Sequence, residues 1–579
     1  TDNRRRRSPL SAAMLVALGL SAASLPTAFA AVYDFDASET VTDSRAYVDG
    51  FRVGPNGPVL VELRDGAKFT SNGLVSLGTL AGSNGELHIW GPTSSLTVNS
   101  AVVRVGEAGS GALRLYDGAK ATLGSTLSFG YAAGSSGIGQ VDGTDALLTA
   151  RQILVGREGN GMLSIRNGAR VETTLQAPPI GNSFGLSVGT EVGSTGTINV
   201  TSGGQLLVTG NDLRVGEAGT GALFINNGGV TAGRDVLIGA AASGEGEVIV
   251  RNSGTLASQL VSVGEAQKAS GSLLVTGAGS TVTTDTLRVS GNGDGLLRIE
   301  DGALVAVSGN VTAEDNQGLP STAARTGRIE VTGAGSVLSG DRIIASTQLL
   351  VENGGQIQSN TARIRDSLSA TGTATLTGAG SRWTNQGEMD IRTGGDVLGG
   401  AVIGTATLLV SGGANTMTLK IGAVDEQVRV SGAGSAIEAT GDVTVGSHLV
   451  GEPFGILNVA NGGRVVAGGD LKLGTLGFVV VGGGLDTWSV ADGAPKWAAA
   501  EVAGELGAAD IVMEGALSAL VFNHTGDISL ANTVSSANGT TGGVTSVAGT
   551  TTLTGGLADF GGKGTVNGGT LRIHGDMCT

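Results

Sequence analysis

Val215-Gly216-Glu217-Ala218-Gly219-Thr220-Gly221-Ala222-Leu223-Phe224-Ile225-Asn226-Asn227-Gly228 is one statement of a unit that the chain repeats about every 25 residues. The copies at Val105 to Gly118 and Val155 to Gly168 keep the same order. Each has Val-Gly, a small polar or glycine-rich break, a glycine, two apolar residues flanking a polar one, and then Asn-Gly or Asp-Gly. A chain that restates one short unit is a stack, because a single unit buries too little apolar surface to fold alone.

Working outward, the apolar pair recurs sixteen times. It runs from Val61/Leu63, Leu87/Ile89 and Leu113/Leu115, through a weak Gly139/Val141, to Leu408/Val410, Val428/Val430 and Leu457/Val459. Intervals span 20 to 35 residues and are mostly 24 to 26. Alternation identifies strands, since successive side chains of a strand face opposite ways: Leu113 and Leu115 turn inward while Arg114 and Tyr116 face water. Asn227-Gly228, Asp301-Gly302 and Asn461-Gly462-Gly463 supply the left-handed backbone of sharp turns. In isolation such turns also suit hairpins, but the fixed period favours coils. The expected fold is all-β, a right-handed parallel β-helix in a single elongated stack, the hand following the crossover preference. At about 4.8 Å per coil the sixteen copies predict a rod of roughly 75–80 Å. A propeller would need about 40–45 residues per blade and recurrent aromatics.

Composition agrees: 102 glycines and 3% aromatics leave few core-filling rings, while 40% hydrophobic residues argue against a disordered polymer. Residues 1–30 read as an export signal, with Arg4 to Arg7, an apolar run from Ala12 to Ala23, and Ala28-Phe29-Ala30 before a cut between Ala30 and Ala31. The run is too short to span a bilayer. Removing it takes away four Arg and one Asp and moves the formal charge from −15 to −18. With Lys and Arg scattered singly, such a surface repels nucleic acid. Cys578 is the sole cysteine, so stability rests on the stack rather than on disulfides.

The repeats at 31–484 give way at 485–514 to an irregular insertion or cap that holds Trp488 and Trp497. Residues 515–579 read as coils of another type, with Gly549-Thr550-Thr551-Thr552-Leu553-Thr554-Gly555 followed by Val566-Asn567-Gly568-Gly569-Thr570-Leu571-Arg572-Ile573. Together, the tandem Val-Gly/Asn-Gly-Gly units and this last pair of motifs resemble the passenger region of type V secretion autotransporters and their associated β-strand repeat. The resemblance covers residues from about 45 to 575. It implies a Gram-negative surface protein, an adhesin or self-associating rod, that meets host or neighbouring-cell surface molecules or its own copies. It further implies an outer-membrane translocator barrel and assembly machinery as partners. The chain departs from the family in having no barrel strands, so the barrel is expected beyond Thr579, with a free exported β-helix as the alternative.

Catalytic motifs are weak. Gly185-Leu186-Ser187-Val188-Gly189 has the spacing of a nucleophile elbow, yet Val188-Gly189 is the repeat's own pair and no helical pattern follows. His88, His448, His524 and His574 lack metal-ligand spacing and read as surface or turn residues. Gly291 to Gly295, with Asp294 and nearby Glu300 and Asp301, resembles a calcium turn but occurs once. Glu245, Glu247, Asp285 and Asp470 form no sequence cluster of the sort a polysaccharide-active β-helix enzyme, the alternative function, would need. No enzyme, metal or cofactor is expected, and ligand contacts are expected in the long loops at Gln176 to Ser187 and Asp315 to Thr326.

Overall fold

The computed structural model describes residues 27–29, 31–175, 184–313, 327–364, 373–391 except 379 and 388, 407–410, 416–419, 428–446, 455–489, 494–537 and 542–574. Ala30, Cys578, His448, almost all of the segment read as an export signal, most of the loop Gln176 to Ser187 and all of the loop Asp315 to Thr326 lie outside them. Among the described residues strand follows strand with no α-helix, and parallel pairing winds them into a β-solenoid of about 17 turns.

One turn explains the rest. Ser110–Tyr116 forms a first side, Asp117 and Gly118 turn the corner with φ of 53° and 83°, and Lys120–Phe129 supplies the second and third sides. Two successive left-handed residues are what a tight hairpin uses. Here they open a corner instead, because the following strand pairs with the coil below rather than with its predecessor. Ser110–Tyr116 lies parallel between Asn84–Trp90 and Ser136–Asp142, with Leu113 opposite Leu87 and Leu115 opposite Ile89. The register expected from the repeat is thus the register of the sheet. Side one is a 14-stranded parallel sheet from Glu39–Val41 to Thr373–Thr377. Continuous strands such as Lys120–Phe129 and Leu147–Val155 join sides two and three in a 34-stranded sheet.

Inward residues form one apolar column from Phe35 to Leu553. Its packing is complementary between sides. Gly139, the weak member of the ladder, leaves room that the Phe129 ring and Leu163 fill, since a Cβ there would lie 2.5 Å from Phe129 Cζ.

The coils extend further than the sixteen copies. Glu39–Val41 precedes Val61/Leu63 on side one, and Val479/Val481 and Leu520/Phe522 follow Leu457/Val459 in a separate 8-stranded sheet. Leu408/Val410 departs from the expected alignment: Thr407–Val410 pairs with Arg382–Asn385 and Ala436–Ala439, on side two. The interval to it from Ala374/Leu376 is long enough to carry the chain past side one. Within 485–514, Leu485–Ser489 and Ala494–Trp497 make an antiparallel hairpin off the column. Glu505–Gly507 and Asp510–Met513 then rejoin the stack above Arg464–Val466 and Leu471–Leu473. Buried Asn523 ties the excursion down, donating to Gly483 O (2.8 Å) and Ala498 O (2.9 Å). Residues of 515–574 continue the coils through Ala519–Leu530 and Gly543–Leu553.

Candidate functional site

Because the register is exact across coils, the outward residues of side one also stand in vertical rows. Glu62, His88, Arg114 and Gln140 form one row. Trp90, Tyr116, Asp142 and Arg166 form the next. The Trp90 and Tyr116 rings stack at 4.0 Å with 17° between planes, and the Arg64 guanidinium covers the other face of Trp90 at 4.6 Å. Asp142 accepts from Arg166 Nε at 2.8 Å and from Asn167 Nδ2 at 2.7 Å. Arg114 donates to Gln140 Oε1 at 3.1 Å, and His88 Nε2 lies 3.0 Å from Glu86 Oε2.

The electrostatics follow from these partners. The bond from Arg64 holds the Glu62 carboxyl below its ordinary range. Burial pushes Asp142 up, but the bonds from Arg166 and Asn167 outweigh it and draw the carboxyl down. Burial draws His88 down in spite of Glu86, so it is neutral near pH 7. Higher on the same side the row becomes apolar through half-buried Phe224, Ile249 and Leu274. Aromatic rings flanked by arginines on a rigid sheet are the composition of binding hot spots. Each of Trp90 and Tyr116 directly follows the second apolar residue of its repeat, so alignment of the copies alone puts them in one row. The scarcity of aromatics obscured that signal.

The candidate catalytic residues are dispersed. Ser187 is fully buried and donates to Glu217 Oε2 at 2.8 Å, while Thr190 donates to Ser187 at 3.0 Å. Arg214 binds the same Glu217 at 2.7 Å. Ser76 and Arg104 clasp Glu107 in the same way. The Glu of Val-Gly-Glu therefore clamps its own coil to the one before, and Ser187 belongs to that clamp. Asp294 and Glu300 stand at opposite ends of one strand, about 20 Å apart at about 3.3 Å per residue. Glu300 pairs with Arg298 (2.7 Å), and Asp301 accepts from Thr276 (3.1 Å). Glu245 and Glu247 project from side one, whereas Asp285 accepts from Ser308 at the corner between sides two and three. Asp470, several coils further on, donates its backbone N–H to Asp442. Among the described residues no group of three or more His, Cys, Asp or Glu comes together to hold a metal.

One histidine differs from its surface reading. His524 is fully buried, its Nε2 2.8 Å from Thr551 Oγ1, whereas His574 is exposed. Burial depresses the His524 pKa, so the unfolded chain takes up a proton that the folded chain refuses. Stability is expected to be complete above about pH 6.5 and to fall as the pH drops toward the depressed value, by at most about 1.4 kcal/mol per pH unit. Denaturant titrations of the wild type and His524→Gln across pH 7.5 to 5.5 check this; equal slopes for the two would refute it.

The fold defines the class: a parallel β-solenoid whose outward side chains stand in vertical rows. No family model matches the chain. It is similar to the Uncharacterized lipoprotein YdeK of Escherichia coli (strain K12), 30% identical over 168 residues. That stretch is 28% of this chain and 12% of the relative, so the chain spans a small part of the protein it resembles.

Proposed function

We propose that the chain is an exported, non-enzymatic rod of a Gram-negative cell surface, the passenger of an autotransporter, that adheres to host or neighbouring cells or to its own copies. The observation that carries this reading is the Arg64–Trp90–Tyr116 stack, held on a rigid parallel sheet and bordered by Arg114 and Arg166. A rigid ring presents contact area at little entropic cost. The cell-envelope location is supported by the similarity to a protein named a lipoprotein and by residues 1–30, which read as an export signal cut between Ala30 and Ala31.

Beads coated with residues 31–579 are expected to attach to epithelial or bacterial cells, or to one another, well above albumin-coated beads. The Trp90→Ala/Tyr116→Ala variant should lose about tenfold or more, the scale of removing central aromatic anchors worth about 2 kcal/mol together. Beads that attach no better than albumin controls would overturn the adhesive reading.

A further inference from the structure

Sides two and three meet at a corner where four consecutive coils leave a groove of about 540 Å³. Its walls are Ser308, Asp341, Gln358, Asn360, Thr384 and Gln386. In the row just inside, Gly340 pairs with Ser359, and Ser359 with Asn385, so this row runs from a bare backbone to two buried polar side chains. A Cβ on Gly340 would lie 2.8 Å from Val311 Cγ2, so the Val311 side chain takes up the inner space at that point.

The floor beneath the walls is fixed. Trp383, 1% exposed, donates from Nε1 to Ser359 Oγ at 2.9 Å. Ser359 donates to Asn385 Oδ1 at 2.7 Å, and Asn385 Nδ2 donates to Gly387 O at 2.8 Å. A buried network satisfied in this way holds its shape. On the walls, Asn360 donates to Asp341 at 2.6 Å, and Arg382 at the rim donates to Thr384 at 3.1 Å.

We infer that this groove binds a short neutral oligosaccharide. Its size is that of a ligand site, but its lining is more polar than the usual apolar one, with Val307 the one hydrophobic residue among those that line it. A lipid or flat hydrophobe finds little to bury. Asp341 lines it and no Lys or Arg does, Arg382 being engaged with Thr384 beside it, so the walls themselves offer an anion a carboxylate rather than a cation. Gln358, Asn360 and Gln386 each offer a donor and an acceptor, and Ser308 and Thr384 offer hydroxyls, which matches a ligand whose every hydroxyl both donates and accepts. The wall groups recur at the coil spacing of about 4.8 Å, comparable to the advance of a sugar chain by one ring. This inference deepens the adhesive reading by naming a ligand class.

The test is calorimetric titration of residues 31–579 with cellotetraose, maltotetraose, mannotetraose, galactotetraose and the N-acetylglucosamine tetramer, with tetragalacturonate as the charged comparison. At least one neutral tetrasaccharide is expected to saturate in the millimolar range or below. Gln358→Ala/Gln386→Ala, with an unchanged melting midpoint, should weaken it about tenfold, equivalent to about 1.4 kcal/mol. The inference is overturned if no neutral probe saturates, if tetragalacturonate binds as well, or if the double variant binds as the wild type does. The bead assay runs in parallel: wild-type beads that attach while no sugar titrates would overturn the groove and leave the adhesive reading standing.

Discussion

Gly221→Ala is expected to destabilise the central coils by upwards of about 3 kcal/mol, more than most single substitutions. Gly221 is the glycine that precedes the apolar pair, and it stands in a row with Gly196 and Gly246 through consecutive coils. A Cβ on it would lie 2.2 Å from the backbone nitrogen of Gly216 and 2.5 Å from Val188 O. Both are main-chain atoms of the sheet, so relief requires moving a strand rather than turning a side chain. Gly216 is the glycine of the preceding Val-Gly, with φ of 68°. The two glycines of one repeat therefore abut each other, and this contact lets the chain close from side three back to side one.

Gly82 provides the comparison. Its φ of 80° strains any side chain, but nothing lies within 4 Å of the place a Cβ would take. Gly82→Ala should cost only about 1–2 kcal/mol, the penalty of left-handed backbone. Denaturant midpoints of both variants, with hydrogen exchange along Thr195–Thr201, Thr220–Asn226 and Glu245–Arg251, give the measurement. Equal midpoints for Gly221→Ala and the wild type would mean that the corner does not close as described. Because a solenoid couples each coil to its neighbours, the lost protection should be greatest in these three strands.

How much the sequence discloses depends on how far apart the cooperating residues lie. The Val-Gly, the inner glycine, the apolar pair and the Asn-Gly or Asp-Gly turn all act within one period or on its exact copies, so alignment yields the ladder Leu87–Leu113 and Ile89–Leu115 directly. Other features join residues that no repeat relates. The Phe129 ring fills the space over Gly139 from another side of the coil, and the hairpin at Leu485–Trp497 is pinned by Asn523 from a later coil. His524 has the neighbours of a turn residue in sequence, yet the long strand Ala519–Leu530 carries it inside. The corner groove draws its walls from four coils. The stacked rings lie between these cases, since their row is legible once attention shifts from the inward to the outward positions.

The same contrast governs the first coils, where Phe51→Ala is expected to cost about 3–5 kcal/mol, the range for emptying a buried aromatic site. Composition gives few rings to the chain as a whole, but Tyr33, Phe35, Tyr47, Phe51 and Phe69 gather inside one stretch of the column. Phe51 is fully buried, with ring centroids 4.8 Å from Tyr47, 5.5 Å from Phe69 and 5.9 Å from Phe35. Most of these contacts are tilted or edge-to-face, the arrangements that ring quadrupoles favour. The reason lies in strand length. On side one Glu39–Val41 has 3 residues, against 7 in Asn84–Trp90 and Ser110–Tyr116. Short strands bring fewer ladder bonds and fewer inward side chains, and large rings compensate by filling the cross-section. Phe51→Leu should recover about half of the loss, because it restores volume without ring contacts. Hydrogen exchange should report early opening of Glu39–Val41 and Pro58–Leu63 in Phe51→Ala while strands beyond Asn160–Arg166 keep wild-type protection. Uniform loss along the whole rod would instead assign the rings no local role, and would make the column a single cooperative unit rather than a chain of coupled coils.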